Sequence, residues 1–151
     1  LSALRERYHD APSGAVAVHD AARPLVDREI LRRGFESVVK GTGCVPVIEC
    51  VNSLRRILPH PESADVIPSV SVIRKDYVEV QTPQIFCFDE LCDAYSKAEV
   101  SGGFDGFTDD ASVAESAGMS VRMYAGSPEN IKVTHPLDFK IAGVILDSRN
   151  K

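Results

Sequence analysis

Apolar and polar positions recur along the chain with two periods, and these assign most of it to short strands and amphipathic helices. Ala15-Val16-Ala17-Val18 is an unbroken apolar run closed by His19 and Asp20, the pattern of a strand buried on both faces. Asp27 stands where a helix cap is needed before Ile30, Leu31, Phe35, Val38 and Val39, which share one helical face, and Gly41 is the expected stop. Residues 43–50 form a second apolar run, in which Pro46 lacks a donor and so points to a strand start or a sheet edge. Residues 77–81 make a further strand, closed by the turn residues Thr82-Pro83-Gln84. Leu91, Cys92, Tyr95 and Ala98 lie at helical spacing. The loop Gly102-Gly103-Phe104-Asp105-Gly106 feeds a capped, acidic helix start at Thr108-Asp109-Asp110-Ala111-Ser112 that runs to Gly118. Residues 121–125 and 130–134 read as two more strands. Pro136 opens a last helix with Leu137, Ile141, Val144 and Ile145 on its apolar face. Strands alternating with helices predict an α/β sandwich with a largely parallel sheet.

Two segments depart from this rhythm. Residues 52–75 are irregular: Ser53-Leu54-Arg55-Arg56-Ile57-Leu58, a corner at Pro59 and Pro61, then an alternating stretch at Val70-Ser71-Val72-Ile73. A projecting hairpin arm is expected there, not a core layer. Residues 1–8 resemble the closing turns of a helix, broken by Asp10-Ala11-Pro12-Ser13-Gly14, and the chain is expected to be the latter part of a longer unit.

Composition narrows the class. A chain of 151 residues, 44% of them apolar, suits one compact domain with a sizeable core. Seventeen Lys and Arg against 22 Asp and Glu leave a formal charge of −5, where a nucleic-acid binder would carry a basic excess. No apolar run approaches the ~20 residues that cross a bilayer, and no leader pattern marks secretion, so a cytoplasmic protein is expected. Cys44, Cys50, Cys87 and Cys92 contain no CxxC pair and sit in or beside apolar runs, as reduced thiols do.

In open α/β sheets, ligands bind at the carboxyl ends of strands, and four polar clusters fall at such ends. In His19-Asp20-Ala21-Ala22-Arg23-Pro24, Asp20 can hold a divalent metal or a ribose hydroxyl. Arg23 can hold a phosphate, or orient Asp20 by a forked pair. A purely structural Asp–Arg clamp explains the pair equally well. Thr82-Pro83-Gln84 brings a hydroxyl and an amide to the same cleft, although a turn alone accounts for it. Asp109 and Asp110 in a first helical turn oppose an anion, and capping explains them. Lys132, between Ile131 and Val133, can point into a cleft at a phosphate; a Lys guarding an edge strand is the commoner case. His9, His60 and His135 have no metal-ligand spacing. Neither G-x-G-x-x-G, nor a P-loop, nor a nucleophile elbow occurs. Pattern alone ends at an α/β domain whose polar cleft suits a phosphorylated ligand.

The ordered set goes further. Val18-His19-Asp20-Ala21-Ala22-Arg23-Pro24, Arg74 eight residues before Thr82-Pro83-Gln84, Thr108-Asp109-Asp110-Ala111-Ser112, and Asn130-Ile131-Lys132-Val133-Thr134-His135-Pro136 resemble the 2-C-methyl-D-erythritol 4-phosphate cytidylyltransferases. The likeness runs from about Ala15 to the C-terminus. It implies a Rossmann-like nucleotidyltransferase sandwich with a mostly parallel sheet and a projecting β-arm, at about 52–76, for dimerisation. Residues 1–151 would be the C-terminal part of that single domain. The family moves CMP from CTP to 2-C-methyl-D-erythritol 4-phosphate with Mg²⁺. The products are 4-diphosphocytidyl-2-C-methyl-D-erythritol and pyrophosphate, a step in isoprenoid precursor synthesis.

By the same resemblance, Asp20 would contact the substrate phosphate or the metal, supported by Arg23. Arg74 on the arm would reach a partner subunit's site in a homodimer and hold the substrate phosphate. Thr82 and Thr108 would hydrogen-bond the substrate, and Lys132 would position its phosphate for attack on the α-phosphorus. An anion attacking an anion needs positive charge and in-line positioning more than a strong base. Neither a nucleic acid nor a membrane is an expected partner.

Two departures bear on the expectation. An Asp-Thr pair in the family's arm corresponds here to Asn52-Ser53, where Ser53 keeps a hydroxyl for the substrate. The family also opens with a Gly-rich loop whose Arg and Lys cradle the triphosphate, followed by cytosine-binding segments. No such pattern stands in these 151 residues, which are therefore expected to form an inactive fragment that binds CTP poorly. Ribitol-5-phosphate cytidylyltransferases share the strand-end Asp, the Thr-Pro-Gln turn and the Thr-Asp helix start, but Ala22 fits the methylerythritol enzymes better. A non-catalytic module dimerising through the arm is the alternative from another class; Asp20, Arg23, Arg74 and Lys132 speak against it.

Overall fold

The computed structural model describes residues 14–60, 62 and 65–149. The helical reading of residues 1–8, the break after it, His9 and Pro61 lie outside the described residues. In chain order the elements are β1 (Ala15–Val18), α1 (Arg28–Ser37), β2 (Thr42–Glu49), β3 (Arg55–Ile57) and β4 (Ser69–Ser71), then a 3₁₀ turn (Arg74–Asp76). After it come β5 (Val78–Val80), β6 (Gln84–Cys87), α2 (Phe88–Val100), α3 (Asp110–Ser116), β7 (Ser120–Ala125) and α4 (Pro136–Arg149).

β2 is the spine of the main sheet. It pairs in parallel with β7 from Thr42↔Ser120 to Val47↔Ala125. Its other edge carries two strands in succession, β6 at Cys44↔Ile85 and β5 from Val47↔Val80 to Glu49↔Val78, both antiparallel. β1 then runs antiparallel to β6. The expected α/β class holds, but the sheet is mixed rather than mostly parallel. β1, β2 and β7 share one direction, while β5 and β6 oppose them. The arm is the reason. The chain leaves β2, passes through it without a crossover helix and returns along β2, and such a return is antiparallel.

Residues 81–83, which include a cis Thr82–Pro83 peptide, carry the chain from β5 to β6. The expected turn at Thr82-Pro83-Gln84 is thus a short break between two strands, and Gln84, Ile85 and Phe86 are all buried. Pro46 lies in the middle of the central strand, not at a start or an edge. Its carbonyl accepts from the Gln81 N–H at 2.7 Å, so its missing N–H faces the same break, where no ladder bond is lost.

Adjacent strand residues face opposite sides of a sheet, and the core divides accordingly. Cys44 packs with Ile30 of α1 and with Tyr124. Val45 packs with Phe86, with Leu91 of α2 and with Ala111 and Ala114 of α3. One helix covers one face and two cover the other. Helix α1 lies so close that a Cβ on Gly34 would collide with Ile85 and Tyr124.

Asp27 caps α1 by accepting from the Ile30 N–H at 2.8 Å. That helix ends at Ser37, because Val38 is already extended, and Phe35 and Val39 stay largely exposed. In α4 the expected apolar stripe is not packed either: Ala142 is buried, whereas Leu137, Ile141 and Val144 are exposed. Residues 130–134 form no strand. The N–H of Val133 bonds the carbonyl of Ala22 at 2.7 Å, and no ladder forms around that bond.

The arm exists as a separate two-stranded sheet, β3 against β4, from Arg55↔Ser71 to Ile57↔Ser69. No disulfide joins Cys44, Cys50, Cys87 and Cys92, and burial pushes Cys44 and Cys87 above the usual thiol range. Among the described residues, no helix is long and apolar enough to cross a membrane.

Candidate active site

The end of β1, the β5–β6 break, the start of α3 and the 130–134 segment meet at one cleft of about 340 Å³. Asp20, Arg23, Thr82, Thr108 and Lys132 line it, together with Gln81, Gln84, Asp109 and Asp110. Four clusters that lie far apart in the sequence are therefore neighbours.

Asp20 is the hub. Its Oδ2 accepts from Lys132 Nζ at 3.0 Å and from Arg23 Nε at 3.3 Å, and its backbone N–H donates to Thr82 Oγ1 at 2.9 Å. Partial burial raises the Asp20 pKa, but the hydrogen bond and charge of Lys132, then those of Arg23, outweigh it and hold the carboxyl below the usual range. The two cations differ in duty. Arg23, only 12% exposed at its side chain, also donates from Nη1 to the Asn130 carbonyl at 2.8 Å and so clamps the floor of the cleft. Lys132, 48% exposed, is the cation open to a ligand.

Thr108 precedes a capping box. Asp109 Oδ1 accepts from the Ser112 N–H at 2.9 Å, and its Oδ2 accepts from Gln84 Nε2 at 2.8 Å. Gln84 Oε1 in turn accepts from the Ala111 N–H at 2.9 Å. Asp110 accepts from the Tyr95 hydroxyl at 2.7 Å; burial, and then this carboxylate, push the Tyr95 phenol far above its ordinary value. Both acids are committed to the protein: Asp109 caps α3 as expected, whereas Asp110 does not cap but holds the Tyr95 hydroxyl. Gln84 lines the cleft as expected, and its amide is hydrogen-bonded to the start of α3 on both its nitrogen and its oxygen.

Two residues under the site have no role in the sequence reading. Gln81 donates from Nε2 to the Ser127 carbonyl at 2.8 Å, and Gly126 leaves the room it needs: a Cβ there would lie 2.5 Å from Gln81 Oε1. Asn130, fully buried, donates from Nδ2 to the Thr82 carbonyl at 2.8 Å, and its Oδ1 is buried without a partner. The local signal for Gln81 was an amide side chain closing the 77–81 strand; Asn130, after Ser127-Pro128-Glu129, carried none.

Ser53 and Arg74 do not join this cleft. Both are exposed on or beside the arm, and Arg74 donates from Nη1 to the Val51 carbonyl. Among the described residues, no group of three His, Cys, Asp or Glu side chains is placed to hold a metal. Asp20 brings one carboxylate whose Oδ2 is already shared by two cations. That donor set fits a hard divalent cation held mainly by substrate phosphates and water, with Asp20 as its single protein ligand.

Comparison with known proteins gives this geometry a context. Residues 2–148 match the family model for 2-C-methyl-D-erythritol 4-phosphate cytidylyltransferase (IspD). A relative of that name from Phocaeicola vulgatus is 41% identical over 133 residues, covering 88% of this chain and 56% of the relative. A bifunctional IspD/IspF enzyme from Rhizobium leguminosarum is 41% identical over 143 residues, covering 94% of this chain and 34% of that one. The crystal structure of the cytidylyltransferase from Thermus thermophilus superposes with a TM-score of 0.76 at 29% identity, covering 95% of this chain and 67% of that one. A crystal structure of 4-diphosphocytidyl-2C-methyl-D-erythritol synthase superposes with a TM-score of 0.77 at 29% identity, covering 96% and 63%. The chain spans little more than half the length of the Phocaeicola relative.

Proposed function

The chain belongs to the 2-C-methyl-D-erythritol 4-phosphate cytidylyltransferase family, and from that membership we propose that its cleft holds the polyol phosphate in CMP transfer from CTP. The products are 4-diphosphocytidyl-2-C-methyl-D-erythritol and pyrophosphate, in isoprenoid precursor synthesis. The observation that carries this is the convergence of Asp20, Arg23, Thr82, Thr108 and Lys132 on one cleft. Lys132 takes the substrate phosphate as it leaves Asp20, and so holds the attacking oxygen toward the α-phosphorus of CTP. Arg23 keeps Asp20 in place. Thr82 and Thr108 bind the polyol. Positioning and charge compensation account for such a transfer, and no strong base is needed. A divalent cation, taken as Mg²⁺ and held at Asp20, supplies charge neutralisation on the phosphates when bound.

The same proposal makes the protein a homodimer through the arm. The arm and its connections expose Val51, Ile57 and Ile73, and Arg74, bonded to the Val51 carbonyl and next to Ile73, does not line its own chain's cleft. Arg74 then serves the partner's substrate phosphate, with Ser53 beside it. Four cysteines with no disulfide among them support a reducing compartment, the cytoplasm.

Titration of 2-C-methyl-D-erythritol 4-phosphate and of ribitol 5-phosphate tests the assignment. The first is expected to bind more tightly. Lys132→Ala is expected to weaken it by about ten- to a hundredfold, the span of a lost charge-assisted hydrogen bond. A preference for ribitol 5-phosphate, or an affinity indifferent to Lys132, overturns it.

A further inference from the structure

In its neutral form, His19 makes two hydrogen bonds that together fix the direction of the protons. Its Nε2 lies 3.0 Å from the Arg23 carbonyl oxygen, and its Nδ1 lies 2.9 Å from Thr82 Oγ1. A carbonyl only accepts, so Nε2 carries the hydrogen and, in the neutral ring, Nδ1 is bare. Thr82 must then donate its hydroxyl hydrogen to Nδ1. The same hydroxyl oxygen already accepts from the Asp20 N–H at 2.9 Å. A single chain results: Asp20 N–H to Thr82 Oγ1, Thr82 O–H to His19 Nδ1, His19 Nε2–H to the Arg23 carbonyl.

Thr82 lines the cleft. With its one hydrogen turned away to His19, the hydroxyl offers the cleft only its remaining lone pair. We propose that His19 is a positioning residue that fixes Thr82 as a hydrogen-bond acceptor, so that this corner of the cleft reads a donating hydroxyl of the polyol and disfavours a phosphate oxygen. The proposal rests on the polyol-phosphate reading of the site. It divides the labour there: Lys132 takes the phosphate, and Thr82 takes a hydroxyl. A phosphate oxygen over Thr82 would set lone pair against lone pair. A ligand hydroxyl donates and can in turn accept from elsewhere.

The first test uses the free protein with no ligand. Long-range ¹H–¹⁵N correlation at a pH of about 8, where an ordinary histidine is neutral, is expected to show His19 with a protonated Nε2 and a bare Nδ1. The second uses three variants. An Asn at this position presents its carbonyl oxygen where Nδ1 stands, whereas a Gln reaches the Nε2 position instead. The readout is the affinity for 2-C-methyl-D-erythritol 4-phosphate relative to inorganic phosphate. His19→Gln and Thr82→Val are expected to lower that ratio by about three- to tenfold, the range of one neutral hydrogen bond. His19→Asn is expected to hold it within about twofold, a rescue that general loosening of the loop would not give. A His19 ring protonated at Nδ1, or a ratio unchanged in His19→Gln, overturns the assignment to His19. A wild-type chain that binds inorganic phosphate as tightly as the polyol phosphate overturns the functional reading itself, and the tautomer measurement then still judges the hydrogen-bond chain separately.

Discussion

At the scale of single residues, the site is a competition for Asp20. Lys132 and Arg23 both bond its Oδ2 and depress its pKa against the opposing effect of burial. A carboxyl depressed in the folded state stabilises the fold above its ordinary value of 3.8, and that contribution is lost as the pH falls through the folded value. Asp20→Asn keeps the backbone donor to Thr82 but removes the charge. It is expected to cost about 1 kcal/mol or less at pH 7, since Lys132 is half exposed and water screens the pair. Urea unfolding of both proteins at neutral pH and near pH 3, below the ordinary value of 3.8, checks this: the gap should narrow in acid. A gap as large in acid as at neutrality would mean that the ion pairs contribute nothing. The types of residue that meet here were legible in the sequence: Asp20 and Thr82 follow apolar runs, Thr108 opens a capped helix after a Gly-rich loop, and Lys132 alternates with Ile131 and Val133. Gln81 and Asn130 were not. Their weight comes from burial and from bonds to residues 46 and 48 positions away, about which local pattern carries no information.

At the scale of elements, the start of α3 is the joint between site and scaffold. Asp109 caps the helix with one oxygen and holds the Gln84 amide with the other. Asp109→Ala removes a cap and leaves Gln84 Nε2 buried without an acceptor, which together are expected to cost roughly 2–4 kcal/mol. The expected drop in melting temperature should come with weaker polyol-phosphate binding, since Thr108 is the next residue back. An Asp109→Asn variant, which keeps an acceptor for the cap, should lose clearly less; equal losses in the two variants would refute the double role. Elements with a strong period were legible, among them α2 and the capped start of α3. β1 is a strand as expected, but it is not buried on both faces: it ends the sheet order among the described residues, pairs antiparallel with β6, and has Ala15 exposed and the rest half-buried. Those misjudged owe their state to distant partners. β6 begins at what looks like the end of a turn because Gln84 is buried against the α3 terminus. Residues 130–134 look like a strand, but Val133 finds its partner at Ala22 in a loop, not in a ladder. Periodicity also marks an apolar face in α4 without saying how much of it is covered, and most of that face is exposed.

At the scale of the whole molecule, two features stand apart from the helix-covered mixed sheet: the arm, and a cleft without Arg74. The arm's strands pair only with each other among the described residues, so its geometry relative to the sheet is set by its two connections, residues 50–54 and 72–77. The structure shows why pattern alone left the arm irregular: an exposed hairpin has no buried face to impose a clean alternation. If each cleft is completed by Arg74 of the other protomer, a closed two-fold dimer has two shared sites, each drawing Lys132 from one chain and Arg74 from its partner. Arg74→Ala and Lys132→Ala chains then each lack something at both sites of their own dimers. Mixed in equal amounts and allowed to exchange, half of the dimers are heterodimers, in which one site carries both defects and the other is intact. Tight binding of 2-C-methyl-D-erythritol 4-phosphate should reappear at about a quarter of all sites, and calorimetric stoichiometry measures that fraction directly. Were Arg74 to act within its own chain, every site in the mixture would carry a defect and no tight binding would return. The result therefore decides between a site built by one chain and a site built by two.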